Sequence, residues 1–163
     1  MFDDINLGGY YTSAEVCLNG HIINVPAKNL SQFCHECGKD IIRKCPKCES
    51  PIKGNYVDNN EILNSKFFKL PKYCDSCGTP YPWIQSKIDA VESVLKDTKK
   101  LNQKEKQEFE NYIPDLIINT PKTEIASLKA KNLMEKVGPV LSDMLKNILI
   151  DIVLEVVKKT IWG

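Results

Sequence analysis

Four pairs of metal-binding side chains are spaced across the first half of the chain. The pairs are Cys17 with His21, Cys34 with Cys37, Cys45 with Cys48, and Cys74 with Cys77. A structural zinc ion takes four such ligands in a tetrahedron. Eight ligands therefore predict two structural Zn²⁺ ions with no ligand left over. Since a small domain of this kind buries little apolar surface, we expect the metal to supply much of its folding free energy.

The number and spacing of the cysteines also indicate the cellular compartment in which the protein is expected. Seven cysteines are an odd number, which fits a disulfide framework poorly, and Cys-x2-Cys pairs with reduced thiols are typical of metal sites. The chain opens Met1-Phe2-Asp3-Asp4, without the basic and apolar regions of a signal peptide, and has no run of eighteen apolar residues. We expect a cytoplasmic protein with no simple transmembrane helix.

The composition changes near residues 80–83. All seven cysteines lie before this point, together with short strand-like runs such as Glu15–Leu18 and His21–Val25 around the turn signal Asn19-Gly20. Long helical patterns lie after it. The sequence predicts an α+β fold: a double zinc-ribbon domain of β-hairpins and knuckles over residues 1–84, then an all-α region of about four helices over residues 85–163.

Periodicity places the helices at about residues 84–96, 103–118, 120–137 and 140–161. The third is predicted to turn an apolar stripe toward the core, formed by Ile125, Leu128, Leu133 and Val137. The fourth is apolar over more than half of its circumference, which is typical of a helix that is central in a bundle or covered by a partner. We therefore expect the helical region to self-associate.

Two pairings of the eight ligands are open. In the nested pairing, Cys34, Cys37, Cys45 and Cys48 form one site, and the remaining four ligands form the other. In the sequential pairing, Cys17, His21, Cys34 and Cys37 form one site, and Cys45, Cys48, Cys74 and Cys77 form the other. The short gap between Cys37 and Cys45 favours the nested pairing.

Neither site is expected to be catalytic. A catalytic zinc keeps three protein ligands and an open position, whereas here four protein ligands would close each site. His35 and Glu36 lie inside a knuckle and are interpreted as surface residues. No nucleophile–base pair and no deaminase signature accompanies the cysteines. The sequence therefore predicts a protein that is not an enzyme.

The charge balance disfavours nucleic acid as the partner. Residues 1–84 carry nine basic and nine acidic side chains, and seven thiolates with two Zn²⁺ would leave this half at about −3. A local cluster of Arg43, Lys44, Lys47 and Lys53, with Tyr73, Tyr81 and Trp83 for base stacking, keeps nucleic-acid binding as the alternative. A membrane-active last helix with Lys158, Lys159 and Trp162 at the interface is a weaker alternative.

The order of motifs resembles that of a known family. The segments that carry the likeness are Cys17-Leu18-Asn19-Gly20-His21, Cys34-x-x-Cys37-Gly38, Cys45-Pro46-x-Cys48, and Cys74-x-x-Cys77-Gly78 leading into Pro80-Tyr81-Pro82-Trp83. This order resembles a bacterial family of uncharacterised zinc-ribbon proteins, the domain of unknown function 2321. The resemblance implies an N-terminal zinc-ribbon module and a helical C-terminal region. Together with the closed sites, it leads us to expect a non-enzymatic adaptor that binds a protein partner and forms a homo-oligomer.

Overall fold

The computed structural model describes residues 8–57 and 68–163. The chain forms two compact units, Met1–Ile84 and Gln85–Gly163. Within these described residues, the first unit has five strands: β1 (Tyr10–Ser13), β2 (Glu15–Cys17), β3 (Ile22–Asn24), β4 (Ile41–Ile42) and β5 (Lys53–Val57). Five helices follow: α1 (Pro82–Asp97), α2 (Gln103–Ile117), α3 (Thr123–Val137), α4 (Pro139–Leu149) and α5 (Glu155–Trp162). The predicted α+β class is confirmed.

A three-stranded antiparallel sheet organises the first unit. Strand β2 lies at its centre, with β3 on one side and β4 on the other. The turn between β2 and β3 needs Gly20 for two reasons. Its φ of +91° is in the region that favours glycine, and a Cβ there would stand 3.0 Å from the Cβ of Trp83. The predicted Asn-Gly hairpin is therefore present, and its turn packs directly on Trp83.

A second, two-stranded sheet pairs β1 with β5 in antiparallel fashion. Tyr11 lies opposite Tyr56, and their rings meet edge to face with centroids 5.1 Å apart. Tyr10, Tyr11 and Tyr56 are all exposed. This sheet therefore presents aromatic side chains to solvent instead of using them in a core.

The apolar core of the first unit is small. Val16 and Ile52 are fully buried, and Tyr81 stacks on Trp83 with ring centroids 4.7 Å apart. The indole Nε1 of Trp83 donates a hydrogen bond to the carbonyl of Pro71 at 2.9 Å. These aromatic rings act as core residues close to the last cysteine pair.

The helical unit begins its second helix with a complete capping box. The side chain of Asn102 accepts a hydrogen bond from the backbone N–H of Glu105, and the Glu105 carboxylate accepts one from the backbone N–H of Asn102. Pro114 lies inside this helix, which nevertheless continues to Ile117. Phe109, Ile113, Leu116 and Ile117 form its buried face.

The predicted apolar stripe of α3 was wrong for two of its four residues. Ile125 and Leu128 are 58% and 52% exposed, and the residues that face the core are Thr123, Ala126, Ser127, Ala130, Met134 and Val137. Burial of the two hydroxyls is possible because each donates to a backbone carbonyl. Thr123 Oγ1 reaches the Ile118 oxygen at 3.1 Å, and Ser127 Oγ reaches the Thr123 oxygen at 2.7 Å.

The predicted single helix over residues 140–161 is two helices. The chain leaves α4 after Leu149 and starts α5 at Glu155, and the backbone N–H of Leu154 donates to the carbonyl of Leu116 at 3.1 Å. The break has a packing reason. One straight helix would turn apolar residues outward around most of its surface, whereas the break lets Ile152 and Val153 join the buried residues. None of the helices in the described ranges has the length and apolar character needed to cross a bilayer.

Candidate metal centres

The first cluster joins the β2–β3 hairpin to the first knuckle. Cys17, His21, Cys34 and Cys37 place their ligand atoms within 4.8 Å of one another. Nδ1 of His21 lies 3.4 Å from Sγ of Cys17 and 3.6 Å from Sγ of Cys34, and the sulfurs of Cys17 and Cys37 are 3.7 Å apart. The four atoms surround one common point, as the ligands of a single ion do.

The second cluster joins the two later knuckles. Cys45, Cys48, Cys74 and Cys77 also place their sulfurs within 4.8 Å of one another. The sulfurs of Cys45 and Cys77 are 3.7 Å apart, and those of Cys48 and Cys74 are 3.6 Å apart. The same spacing therefore occurs in a cluster that has four cysteines and no histidine.

Both clusters fit a tetrahedral zinc ion. Zn–S bonds of about 2.3 Å and a Zn–N bond of about 2.0–2.1 Å put tetrahedral ligand atoms roughly 3.6–3.8 Å apart. The separations of 3.6 and 3.7 Å in the two clusters fall in that range, and the imidazole contact to Cys17 is only slightly shorter at 3.4 Å. Thiolate and imidazole ligands are also the donors that zinc prefers in structural sites.

Each knuckle has the same backbone. In each one, the N–H of the first cysteine bonds the carbonyl five residues on, and the N–H of the residue after the second cysteine bonds back to the first cysteine's carbonyl. That last residue has a positive φ in all three knuckles: +70° at Gly38, +62° at Glu49 and +71° at Gly78. The middle knuckle therefore takes the same turn without glycine, which a non-glycine residue adopts at some conformational cost.

The sequential pairing is the one present, and the favoured nested pairing was wrong. The physical reason is strand β4. It pairs with β2, so that Cys17 lies opposite Ile41 and Val16 opposite Ile42. The chain leaving the first knuckle must therefore run beside the hairpin, which brings Cys34 and Cys37 to Cys17. The middle knuckle lies beyond β4 and meets Cys74 and Cys77 instead.

His21 shows why it, and not His35, completes the first cluster. Its Nδ1 faces the cysteine sulfurs, while its Nε2 lies 3.7 Å from a carboxylate oxygen of Glu36. Zinc-bound histidines characteristically direct the second ring nitrogen to a carboxylate or carbonyl, which fixes the ring orientation. The His35 side chain is 81% exposed and does not belong to the cluster, as the sequence predicted. The sequence analysis interpreted Glu36 only as a surface residue, because it lies inside the knuckle beside the ligand Cys37. Its contact with His21 was not predicted.

The protein environment also lowers the pKa of part of the ligand set. Hydrogen bonds from the side chain and the backbone of Thr79 lower the pKa of Cys77 to about 6. The backbone N–H of Lys39 lowers the pKa of Cys37, whereas burial raises the pKa of Cys17 and of Cys45. Because metal ligation requires thiolates, Cys37 and Cys77 are more readily ionised before a metal arrives than Cys17 and Cys45.

A buried ion pair beside the first cluster was not predicted. Glu15 is 1% exposed, and its carboxylate accepts hydrogen bonds from Arg43 Nε at 2.6 Å, Asn24 Nδ2 at 2.7 Å and the backbone N–H of Asn29 at 2.5 Å. Arg43 also donates to the carbonyl of Ser31 at 2.7 Å. The Glu15 carboxylate on β2 thus holds both the loop after β3, through Asn29, and the residue after β4, Arg43.

The residues proposed for nucleic-acid contact are mostly engaged in the fold. Arg43 is bonded to Glu15, and Lys53 forms an ion pair with Asp75 at 2.5 Å. Tyr81 and Trp83 are 2% and 3% exposed, so neither ring is free to stack on a base. Lys44 and Lys47 remain exposed, and Tyr73 is half-buried.

The comparison with known proteins gives a family and no function. Residues 10–161 match the family model described as an uncharacterized protein conserved in bacteria (DUF2321). No curated protein sequence and no solved structure shows significant similarity to the chain. The match spans both units, so it includes all eight cluster residues.

Proposed function

Since this chain belongs to the DUF2321 family of proteins conserved in bacteria, we propose that its function lies in the surfaces that two structural zinc ions hold in place. The protein is a non-enzymatic, zinc-ribbon adaptor that binds a protein partner and self-associates through its C-terminal helices. The observation that carries this proposal is that each cluster is closed by four side-chain ligands. A closed site has no position at which zinc would activate water or substrate.

The β1–β5 sheet supports a protein as the partner. Tyrosine is enriched at the centres of protein interfaces because its ring buries much area at low entropic cost and its hydroxyl can still hydrogen-bond. Tyr10, Tyr11 and Tyr56 are 60%, 55% and 43% exposed on this one small sheet. The Lys53 ammonium lies 4.7 Å from the centroid of the Tyr11 ring, so the ring is oriented before any partner arrives.

Nucleic-acid binding remains the less favoured alternative. Its stacking residues Tyr81 and Trp83 are buried, and two of its four cations already have acidic partners. We place the protein in the cytoplasm, because seven unpaired cysteines arranged in metal-type clusters require a compartment that keeps thiols reduced.

Cobalt substitution tests whether the sites are closed. Co²⁺ takes the tetrahedral geometry of zinc and has absorption bands that report its ligands. We expect protein loaded with two Co²⁺ to give a tetrahedral thiolate spectrum that added azide leaves unchanged. A spectrum that shifts with azide would reveal an open coordination position and would contradict a purely structural role.

Light scattering tests self-association. The expected result is a particle larger than one chain at micromolar concentration. A variant for this purpose needs an exposed apolar position, and Met144→Asp is suitable because that side chain is 46% exposed. A charge at the fully buried Leu149 would instead unfold the helical unit. A strict monomer at all concentrations would remove self-association from the proposal and leave the zinc sites untouched.

A further inference from the structure

An apolar groove lies on the helical unit. It has a volume of about 470 Å³ and is lined by the end of α1, the loop that follows it, and the first half of α4. Val94, Leu141 and Met144 supply its apolar side chains. Val140 is 75% exposed and lies one turn before Met144 on the same face of α4. The exposed apolar surface therefore continues past the groove.

Two lysines line the same groove. Lys99 and Lys100 are exposed, and neither has an ion-pair partner within the described ranges. Asp97 is the one acidic residue in the lining, so the lining carries a net positive charge. The Nζ of Lys106 on α2 donates to the carbonyl of Lys96 at 2.9 Å, which offsets the negative end of the α1 dipole. The groove thus combines apolar side chains with cations that are free to bind a ligand.

The turn that carries the two lysines is anchored on both sides. Thr98 and Leu101 flank them in the sequence and are 7% and 4% exposed. The backbone N–H of Lys100 donates to the hydroxyl oxygen of Thr98 at 3.2 Å. The backbone of both lysines is therefore held beside the groove before a ligand arrives, which lowers the entropic cost of binding one.

The size of the groove indicates a small ligand. It has eight lining residues, whereas a protein interface of standard size has about 20–30 residues on each side. Its volume falls within the range of about 300–1,000 Å³ that is usual for small-molecule pockets. A small ligand that matches both the apolar side chains and the lysines has an apolar body and an anionic head.

We infer that the groove binds a single-chain carboxylate, the anion of a medium-length fatty acid. Its alkyl chain lies on Val94, Leu141 and Met144, and its carboxylate accepts charge-assisted hydrogen bonds from Lys99 and Lys100. The inference goes beyond the proposed adaptor role. It does not depend on self-association, because a single chain supplies every lining residue of the groove.

Methionine methyl NMR of the full, zinc-loaded chain tests binding at the groove itself. Met144 lines the groove, whereas Met134 on α3 is 2% exposed and is not among the lining residues. In protein with ¹³C-labelled methionine methyls, we expect added decanoate to shift the Met144 signal until it saturates. The Met134 signal serves as the internal control and should stay in place.

A ligand series separates the contribution of the charge from that of the chain. Decyltrimethylammonium has the same chain length and the opposite charge, so it should bind at least about tenfold more weakly than decanoate. From octanoate to decanoate to dodecanoate, affinity should rise by about fourfold for each two added carbons. That increase is the gain expected when half of the added chain surface is buried in an open groove.

A pair of double variants tests the two lysines. Lys99→Gln with Lys100→Gln should weaken decanoate binding by about fivefold or more, because both attractive charges are lost. The matched control, Lys104→Gln with Lys122→Gln, removes two exposed lysines of the same unit that do not line the groove. Its affinity for decanoate should equal that of the wild type. Far-UV circular dichroism checks that every variant stays folded.

Four results would overturn the inference. The first is a Met144 signal that does not respond to millimolar decanoate. The second is equal affinity for decanoate and decyltrimethylammonium, which would leave the lysines without a role. The third is an equal loss of affinity in the control variant, which would indicate a general effect of charge. The fourth is binding to phosphatidylglycerol vesicles without a response to free decanoate, which would make the groove a membrane contact.

Discussion

At the residue scale, His21 is the most constrained ligand. One ring nitrogen faces the thiols of Cys17 and Cys34, and the other faces Glu36 of the first knuckle. The Nε2-to-carboxylate distance of 3.7 Å is longer than a direct hydrogen bond, so Glu36 acts on the ring through charge or through a bridging water. Glu36 is therefore a positioning residue for the metal ligand.

Replacing Glu36 tests this role. We expect Glu36→Gln to lower the zinc affinity of the first cluster by about tenfold, at the low end of the range for residues that orient a metal ligand. Chelator competition measures the affinity. The matched control is Glu49→Gln, which removes a carboxylate from a knuckle without a histidine and should change neither cluster. Equal losses in both variants would point to a general effect of charge.

The buried ion pair of Glu15 and Arg43 stabilises the first unit. The carboxylate is almost fully buried, so removing its cation leaves a charge without its principal partner. We expect Arg43→Leu to lower the free energy of unfolding of the zinc-loaded protein by about 3 kcal/mol. The neighbouring exposed residue Lys44 gives the control. Lys44→Leu should change the free energy of unfolding by less than about 0.5 kcal/mol. Denaturant titration compares them, and equal effects would contradict the role of the pair.

At the element scale, helix α3 has its small residues inside and two of its large apolar residues outside. Ala130 is fully buried, whereas Ile125 is 58% exposed. We expect Ala130→Leu to destabilise the fold by about 1–3 kcal/mol through overpacking, and Ile125→Ala to cost less than about 0.5 kcal/mol. Thermal unfolding at low protein concentration, where self-association does not contribute, checks this order. The reverse order would mean that α3 is rotated.

The elements show what spacing and periodicity can predict. The Cys-x2-Cys steps identified six of the seven cluster cysteines, because a tight turn lets two thiolates reach one ion, and the Cys17–His21 spacing identified the seventh. The pairing of the steps escaped prediction, because lengthening a loop changes its closure entropy only slowly, so gap length does not choose between partners. The buried face of α3 was not predicted, because Thr123 and Ser127 are polar. Their hydroxyls donate hydrogen bonds to backbone carbonyls, which allows both side chains to be buried. The α4–α5 break follows from burial of Ile152 and Val153, which no local signal marks.

At the scale of the whole molecule, the two units should respond differently to metal loss. The first unit has short strands and a small apolar core, whereas the second is helical with many fully buried side chains. We expect a strong chelator to unfold residues 1–84 and to leave most of the helical signal of residues 85–163 in place. Circular dichroism at 222 nm follows the helices, and hydrogen exchange follows the cysteine-rich unit. Simultaneous loss of both signals would contradict independent units.

The proposed structural role of zinc depends on the number of metals that the chain holds. Native mass spectrometry of the purified full chain counts metal ions per chain and chains per particle in one measurement. The two four-ligand clusters predict two zinc ions for each chain. The proposed self-association predicts a particle that contains more than one chain. One zinc per chain, or none, would contradict the central claim that two closed zinc sites form the structural basis of the first unit.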